Sequence, residues 1–340
     1  MSRSTHVLHL IDDTTAGGVT RAVTHIATSD HIAACVTQDV MSIQRGHFGK
    51  VPKFADIIVS HTAISWRTLP ALIALRAARP DTVLVHVEHS YTEGFVTHNV
   101  KHIRRFTSLL KTAFSLFDQV VCVSHAQAAW MRRHKLCPRA NLITIPSCVD
   151  LAPFLALPRQ RGPVRTFGAI GRLDHQKGFD RLITAFRQLP DRDLRLSIYG
   201  EGPEKKALQT LAGSDPRIRL EGHAADPANA YASVDAVIMP SRWEAFGLVA
   251  IEALAAGRHL LCASVDGLKD HASSGAQYIS GPSLDHLVTA LKDIGSPPAG
   301  NLNAPPKRPC NTASLELWSQ LIASPETPRK SLPSFLPAKR

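Results

Sequence analysis

The amino-acid sequence predicts an α/β fold made of two doubly wound domains that face each other across a central cleft. Short apolar runs rich in β-branched residues alternate with segments whose apolar residues recur about every 3.6 positions, which is typical of parallel strands joined by crossover helices. This alternation stops at a proline-containing loop, residues 153–163, and starts again near Val164. The length of 340 residues suits two domains of roughly 150 residues each.

Predicted strands and helices follow one another in both halves of the chain. The strands are predicted at residues 7–11, 57–60, 82–87, 119–123, 142–145, 164–170, 194–199 and 236–239. The helices are predicted at residues 67–78, 126–134, 180–188, 204–212, 248–256 and 314–322. We therefore expect an N-terminal Rossmann-like domain at 1–158, a C-terminal Rossmann-like domain at 159–310, a final helix at 311–323 and a disordered tail at 324–340. Residues 296–309, which include five prolines, are predicted to be a linker or a long loop.

The composition is that of an ordinary globular protein, 44% hydrophobic and 20% charged, and it excludes wholesale disorder. No apolar run reaches the roughly 20 residues that cross a bilayer. The first apolar stretch is short and ends at Asp12-Asp13, unlike a secretory signal. The six cysteines form no CxxC pair, so we expect scattered reduced thiols in a cytoplasmic protein rather than a metal or redox motif.

Positive charge is concentrated in one stretch of a chain whose net charge is +11. Residues 101–139 contain eight basic side chains and a single acidic one, Asp118. Such clusters attract phosphates, whether in nucleic acid, lipid head groups or anionic substrates. Nucleic acid is not an expected partner, because the chain has no recognition motif and only 6% aromatic residues.

The first motif lies directly after the first predicted strand, where Gly17-Gly18 precede a helical segment. Glycines allow a backbone to approach a phosphate closely, and a helix N-terminus favours an anion. A simple turn explains such a pair equally well. The segment lacks the GxGxxG pattern of dinucleotide-binding proteins.

The second motif is the loop from Gly171 to Gly178, after the strand predicted at 164–170. Arg172 and Lys177 can both reach one diphosphate from this loop, the arginine through its fork and the lysine as a point charge. Taken alone, two basic loop residues more often form a solvated surface.

The third motif places two glutamates eight positions apart, Glu244 before a predicted helix and Glu252 within it. Phe246-Gly247-Leu248 stand between them. A carboxylate in the apolar stretch around Glu252 is costly to bury unless it is hydrogen-bonded, and sugar or ribose hydroxyls are suitable donors. The alternative is one capping glutamate and one solvated glutamate.

These motifs resemble those of the retaining, GT-B-fold nucleotide-sugar glycosyltransferases of family 4, the glycosyl transferases group 1. The resemblance covers nearly all of residues 5–323. It is most specific in the Glu-x7-Glu element and in the Gly-Arg-Leu…Lys-Gly loop. Gly200-Glu201-Gly202-Pro203 stands where the family has Gly-Asp-Gly-Pro.

The resemblance implies a role for each matching residue. The catalytic residues would be His89, Arg172, Lys177 and Glu244. The donor would be bound by Gly17, Gly18, Arg172, Lys177, Glu244, Phe246, Gly247, Leu248 and Glu252, with Arg172 and Lys177 on the diphosphate, Glu244 on the sugar and Glu252 on the ribose. His86, in the strand before His89, is expected to pack internally.

The implied reaction is a front-face substitution with retention of configuration, since no first-domain carboxylate stands out as the nucleophile of a double displacement. The family usually needs no metal, and the co-substrate is a nucleotide diphosphate sugar, with no other cofactor. Asp191-Arg192-Asp193 matches the DxD of metal-dependent transferases, but it precedes a strand, so we expect a surface turn away from the cleft.

The implied function is transfer of a hexose to a glycan or lipid-linked acceptor in bacterial cell-surface polysaccharide or lipopolysaccharide synthesis. A non-catalytic, membrane-associated scaffold is the alternative. Ser147-Cys148, where the family has Asn-Gly, favours that alternative, and the intact Arg172, Lys177 and glutamate pair oppose it. A GT-B epimerase of UDP-sugars is disfavoured by the same motifs.

One predicted helix combines an apolar stripe at positions 103, 106, 110 and 114 with basic flanks. The flanking residues are Lys101, Arg104, Arg105 and Lys111. This arrangement suits an interfacial helix on an anionic membrane, which would place the protein on the inner face of the cytoplasmic membrane. The alternative is a core-facing stripe with solvated basic flanks.

Overall fold

The computed structural model describes residues 4–13, 17–34, 36–48, 51–52, 54–295 and 308–323. These residues form two parallel sheets of six strands each, joined by helices. The prediction of two doubly wound α/β domains is confirmed. Most of the predicted loop at 296–309 and the whole predicted tail at 324–340 lie outside the described residues.

The first sheet has the strand order β2-β1-β3-β4-β5-β6. Its strands are β1 (Thr5–Ile11), β2 (Val36–Ser42), β3 (Ile57–Ser60), β4 (Val83–Glu88), β5 (Gln119–Cys122) and β6 (Leu142–Thr144). Its helices are α1 (Gly18–Ala27), α2 (Asp30–Ala33), α3 (Leu69–Ala78), α4 (Glu93–Asn99), α5 (Ile103–Phe114) and α6 (His125–Arg133). The strand order reverses between β1 and β3, and such a switch point opens a crevice at the carboxyl ends of the strands.

The second sheet has the order β9-β8-β7-β10-β11-β12, the arrangement of dinucleotide-binding Rossmann domains. Its strands are β7 (Thr166–Ile170), β8 (Arg195–Tyr199), β9 (Ile218–Gly222), β10 (Ala236–Met239), β11 (His259–Ala263) and β12 (Gln277–Ile279). Its helices are α7 (Ala152–Leu155), α8 (Phe179–Phe186), α9 (Lys205–Ala212), α10 (Pro227–Ala232), α11 (Leu248–Ala255) and α12 (Leu284–Gly295). The order reverses between β7 and β10.

Both faces of the first sheet are buried, as all-parallel sheets require. Along β3, Ile57 and Val59 belong to one apolar cluster, whereas Ile58 belongs to another on the opposite face. The central strands therefore read as continuous apolar runs rather than as alternating polar and apolar residues, which is why sequence inspection detects them.

The last helix, α13 (Thr312–Ala323), follows the second domain in sequence but packs against the first. Trp318 and Ile322 are buried in the same apolar cluster as Ile26, Ile32 and Val36. The first domain is thus completed by residues that lie about 170 positions after its last strand.

Candidate active site

The two switch points face each other across the cleft. In the first domain, the loops after β1, β3 and β4 line a pocket that includes Asp12, Val19, His61 and His89. In the second domain, the loops after β7 and β10 carry the basic and acidic residues of the second and third motifs. The residues singled out in the sequence therefore come from loops at the carboxyl ends of both sheets.

Lys177 and Glu244 form the centre of the second-domain half of the site. The Lys177 Nζ donates to Glu244 Oε2 at 2.6 Å, and both side chains are largely buried. Gly178 turns the chain directly after the lysine with φ of +68°, and a Cβ there would lie 2.5 Å from the carbonyl oxygen of Pro240. The close approach of these two loops is what brings the lysine and the glutamate together.

Arg172 lies beside this pair on the same loop but points to solvent. Its side chain is 64% exposed and pairs with Asp174. The loop is held by the Gly-Glu-Gly-Pro segment, because a Cβ on Gly200 would come within 1.9 Å of the Gly171 carbonyl oxygen and one on Gly202 within 2.4 Å of that of Leu173. The two glycines are required by backbone packing.

Glu252 is buried, with 2% of its surface exposed. Its carboxylate pairs with the Arg21 guanidinium at 2.8 Å and accepts a hydrogen bond from the Tyr231 hydroxyl at 2.5 Å. Burial raises the pKa of this carboxyl, and Arg21 and Tyr231 oppose that rise. The alternative of a solvated glutamate is wrong. The sequence analysis assigned the hydrogen-bond donors of Glu252 to sugar or ribose hydroxyls. In the structure, the side chains of Arg21 and Tyr231 occupy this role.

Gly17 and Gly18 open α1, as predicted, and face the start of α11 across the cleft. Gly17 is the N-cap residue of α1. A Cβ on Gly18 would lie 3.0 Å from Leu248 Cδ1, so the first-domain backbone closely approaches the second domain here. Gly247 caps α11 with φ of +90°, and Phe246 is buried beside it.

Two aspartates that the sequence analysis missed join the domains. Asp266 accepts hydrogen bonds from the Thr92 hydroxyl at 2.7 Å and the Gly94 amide at 3.0 Å. Asp270 accepts from the amides of His125 and Ala126, at 2.5 and 3.3 Å. Both carboxylates therefore sit at N-termini of first-domain helices, where they are favoured by the helix dipole.

Asp266 also accepts from the Glu244 amide at 3.2 Å, which couples the Glu244 loop to the first domain. Arg21, Tyr231, Asp266 and Asp270 carried no sequence signal, because each is recognisable only through a partner far away in the chain.

His89 lines the first-domain pocket directly after β4. The preceding Glu88 holds the loop by accepting from the amides of Ser90 and Tyr91, at 2.8 and 2.9 Å. Burial lowers the pKa of His89 to about 4. His86 is buried between the rings of Phe114 and Phe117, so the prediction of internal packing is confirmed.

The DxD-like segment lies away from the cleft, as expected. Asp191 precedes β8 and pairs with Arg165 at 3.0 Å, at the amino ends of the strands. Within the described ranges, no group of three or more His, Cys, Asp or Glu side chains is arranged to hold a metal ion. Cys148 is fully buried in the core, so the Ser147-Cys148 departure places a packing residue there.

The basic helix α5 is only partly as predicted. Lys101, Arg104, Arg105 and Lys111 are all exposed. Of the apolar stripe, Leu110 and Phe114 are fully buried in the domain core, whereas Ile103 is 55% exposed. The Arg105 guanidinium lies 5.4 Å from the ring centroid of Trp66, itself 45% exposed. Among the described residues, no helix combines the length and apolarity needed to cross a bilayer.

Two facing doubly wound domains, with a lysine–glutamate pair at the second switch point, define the class of GT-B glycosyltransferase folds. Two family models match successive parts of the chain. The model described as Glycosyltransferase Family 4 matches residues 54–153, and that described as Glycosyl transferases group 1 matches residues 164–294. The chain belongs to the glycosyltransferase family that these two models describe.

A curated relative is the GDP-mannose-dependent alpha-(1-6)-phosphatidylinositol dimannoside mannosyltransferase of Mycobacterium tuberculosis. It is 32% identical over an alignment of 227 positions that covers 61% of this chain and 56% of that protein. The chain thus spans little more than half the length of this relative.

Solved structures share the fold over almost the whole chain. Anabaena Alr3699/HepE in complex with UDP and glucose aligns with 93% of this chain and 94% of that chain, with a TM-score of 0.65 and 18% identity. WaaG, a glycosyltransferase involved in lipopolysaccharide biosynthesis, aligns with 95% of this chain and 98% of that chain, with a TM-score of 0.63 and 17% identity. The predicted GT-B fold is confirmed.

Proposed function

We propose that this protein is a retaining glycosyltransferase that transfers a hexose from a nucleotide diphosphate sugar to a glycan or lipid-linked acceptor. The observation that carries the proposal is the Lys177–Glu244 pair, 2.6 Å apart, at the second-domain switch point. A cation and a carboxylate held together in one cleft can bind two different parts of a sugar diphosphate. The lysine attracts the phosphates, and the carboxylate accepts hydrogen bonds from sugar hydroxyls.

The surrounding residues supply the rest of a donor site. The exposed Arg172 side chain gives up its ion pair with Asp174 and binds the diphosphate beside Lys177. The first turn of α11 offers amides from Gly247 and Leu248 to an anion. The backbone at Gly18 closes this region from the first domain. Glu252 binds the ribose on exchange of its bond to Tyr231 or Arg21.

The reaction is a front-face substitution. The bond between the anomeric carbon and the phosphate oxygen breaks, and the acceptor oxygen bonds to the same face. The acceptor proton passes to the departing phosphate oxygen, whose growing charge Arg172 and Lys177 stabilise. Two first-domain carboxylates are engaged elsewhere, which argues against their use as nucleophiles. Asp12 binds Arg45 at 2.8 Å, and Glu88 binds two loop amides.

We place the acceptor in bacterial cell-surface polysaccharide or lipopolysaccharide synthesis, on the cytoplasmic side of the membrane. The similarity to WaaG, which is involved in lipopolysaccharide biosynthesis, and to the mycobacterial phosphatidylinositol dimannoside mannosyltransferase supports an acceptor of this lipid-linked kind. The exposed cluster of Lys101, Ile103, Arg104 and Arg105 supports peripheral binding to an anionic surface. The scaffold alternative has no structural support, since Cys148 acts in packing.

A panel of nucleotide sugars, screened by thermal unfolding, tests the donor assignment. A ligand that binds the folded state at 100 times its Kd adds about 2.7 kcal/mol of stability. We expect at least one nucleotide sugar to raise the Tm, and its nucleotide diphosphate to raise it less. A full panel without any shift, for the wild type and for a sample with added acceptor lipid extract, contradicts the proposal.

Product NMR and chelation test the mechanism. An α-configured donor should give an α linkage, and EDTA should leave the rate unchanged. Loss of activity in EDTA with recovery in Mn²⁺ would instead direct attention to Asp191 and Asp193.

A further inference from the structure

Three histidines at the carboxyl edge of the first sheet form a continuous hydrogen-bonded chain. His9 lies in β1, His61 follows β3 and His89 follows β4, and these three strands are neighbours in the sheet. His9 Nδ1 lies 3.0 Å from His61 Nε2, and His61 Nδ1 lies 2.9 Å from His89 Nε2. The rings stack at 5.3 and 5.2 Å, close to the spacing of adjacent strands.

The inner end of this hydrogen-bonded series is Gln38 on β2. Two backbone carbonyl oxygens fix the orientation of its side-chain amide. Its Nε2 donates to the carbonyl oxygens of Ile26 at 3.1 Å and Ala27 at 3.4 Å. Carbonyl oxygens only accept hydrogen bonds, so the amide nitrogen must face them and the amide oxygen must face His9. Gln38 Oε1 lies 3.0 Å from His9 Nε2.

This fixed acceptor determines the position of every proton along the chain. His9 Nε2 must carry hydrogen, and a neutral imidazole carries only one, so His9 Nδ1 accepts. His61 Nε2 then donates to His9, and His61 Nδ1 accepts from His89 Nε2. His89 is left with an unprotonated Nδ1. Burial keeps the rings neutral by lowering the pKa of His9 and of His89 to about 4, and that of His61 well below its ordinary value.

We propose that Gln38, His9 and His61 are positioning residues that hold His89 in the Nε2-protonated tautomer, so that its Nδ1 accepts a hydrogen bond from a carbohydrate hydroxyl bound in the cleft. The inference rests on the proposed function. No described residue donates to His89 Nδ1, while the ring lines the first-domain pocket. Apolar side chains would fill this core at lower cost, since buried polar groups must all be paired.

NMR of the enzyme labelled with ¹⁵N-histidine reads the tautomer directly. The chain has 17 histidines, and the variants His9→Phe, His61→Phe and His89→Phe assign the three signals. We expect the wild type at pH 7 to show a protonated Nε2 and an unprotonated Nδ1 at His89. A His89 that carries its hydrogen on Nδ1 overturns the proposal.

Added ligands show whether His89 contacts the sugar or the nucleotide of the donor. UDP-glucose and GDP-mannose are added, with UDP and GDP as controls that lack the sugar. The Nδ1 signal should move with a nucleotide sugar and not with its nucleotide, or, for an acceptor hydroxyl, only when acceptor is also present. A nucleotide sugar that gives thermal protection without moving Nδ1 under either condition contradicts the proposal. If neither nucleotide sugar protects the fold, the failure belongs to the donor assignment, and the tautomer result stands separately.

Two substitutions at Gln38 test whether the relay acts on the reaction. Gln38→Met keeps the length and removes the acceptor, so we expect mixed tautomers at His89 and about fivefold lower kcat with little change in KM, the effect of one neutral hydrogen bond. Gln38→Glu keeps an acceptor oxygen towards His9 but loses the donor to the carbonyl oxygens of Ile26 and Ala27, so we expect it to recover only part of this loss at pH 8. Gln188→Met, at an exposed site in the second domain, is the control. Unchanged kcat or unchanged tautomer in Gln38→Met overturns the positioning role.

Discussion

Lys177 and Glu244 neutralise each other in the structure. Under the proposed function, this pair must open when a nucleotide sugar binds. The lysine has to release the carboxylate, at least in part, to reach a diphosphate. The carboxylate then becomes free to accept from sugar hydroxyls. Because the two side chains are largely buried, each charge depends on the other until the donor replaces it.

Removal of either basic residue of the second motif should lower turnover. Lys177→Ala should also lower the Tm, because it leaves the largely buried Glu244 without its partner. We expect Arg172→Ala and Lys177→Ala each to lower kcat by about 10² or more, because each removes a contact to the charge that develops on the diphosphate. Steady-state kinetics and Tm are measured together. Arg165→Ala, which breaks an exposed pair at the opposite edge of the sheet, should leave kcat unaltered. Near-wild-type rates in both site variants would rule out the diphosphate assignment.

The two glutamates should separate kinetically. Glu244→Gln is expected to lower kcat more strongly than Glu252→Gln, since Glu244 lies beside Lys177 and the reacting sugar. Glu252→Gln should mainly raise KM for the donor. The Arg21→Gln variant is the matched control, because it breaks the same ion pair while leaving the carboxylate available for the ribose. A larger kcat effect at Glu252 would exchange the two assignments.

At the scale of single residues, the sequence reveals groups whose neighbours in the chain identify them. Glu244, Lys177 and Gly18 stand in loops next to strands, so their meeting at the cleft follows from topology. Arg21 and Asp266 could not be found this way. Each is an ordinary charged residue whose partners are distant in the sequence, so its role is visible only in the assembled cleft.

Among the elements, α5 shows how one helix can serve two surfaces. Its C-terminal half buries Leu110 and Phe114 in the first domain, so half of the apolar stripe is unavailable to a membrane. The exposed N-terminal half keeps Ile103 among basic side chains, with Arg105 over Trp66. Under the proposed function, we expect the surface that remains to bind an anionic membrane mainly through charge.

Liposome cosedimentation tests this surface. We expect binding to vesicles with anionic lipid, weak binding to neutral vesicles and release by high salt, since each basic residue near an anionic surface contributes about 1 kcal/mol. Arg104→Glu with Arg105→Glu should reduce binding by about tenfold or more. Lys206→Glu with Arg219→Glu, at exposed sites of the second domain, makes the same change in net charge and should have a smaller effect. An equal loss of liposome binding in both double variants would show that binding depends on net charge rather than on the α5 surface.

The strands that the sequence analysis missed are mostly at sheet edges. The strands β2, β9 and β12 lie at edges, and β2 exposes most of its residues, so it lacks an apolar run. The strand β11 is central, but only Ala256-Gly257-Arg258 separate it from the apolar helix α11, so its short apolar run is hard to distinguish from the helix. The strands and helices that were predicted agree with the structure to within about two residues, because burial dictates their composition. The helices α2, α4, α7, α10 and α12 were not predicted.

For the molecule as a whole, buried histidines should make the fold sensitive to acid. The folded-state pKa of His9 and of His89 is lowered from the ordinary 6.5 to about 4, and that of His61 is lowered well below 6.5 by burial and by its histidine neighbours. Glu88 opposes the shift at His89, and His86 reinforces it. As pH falls below 6.5, the unfolded chain binds protons that the folded chain does not.

The free energy of unfolding should therefore be highest above pH 6.5 and fall towards pH 4, by up to about 1.4 kcal/mol per pH unit for each histidine. Glu252 acts in the opposite direction, because its raised pKa favours the folded state as pH falls. It is one group against six histidines, since burial also lowers the pKa of His25, His259 and His271. Urea titrations from pH 8 to 5 measure the slope, and His61→Leu should reduce it. A flat profile across this range would contradict the buried neutral state.

The return of α13 to the first domain has a consequence for the order of synthesis. The ribosome adds about 5–20 residues per second, so Trp318 emerges roughly ten to thirty seconds after β6, the last strand of the first sheet. Until then the nascent first domain lacks the indole that covers His9 and the apolar side chains of α2. The first domain therefore reaches its complete packing only after the second domain has been synthesised.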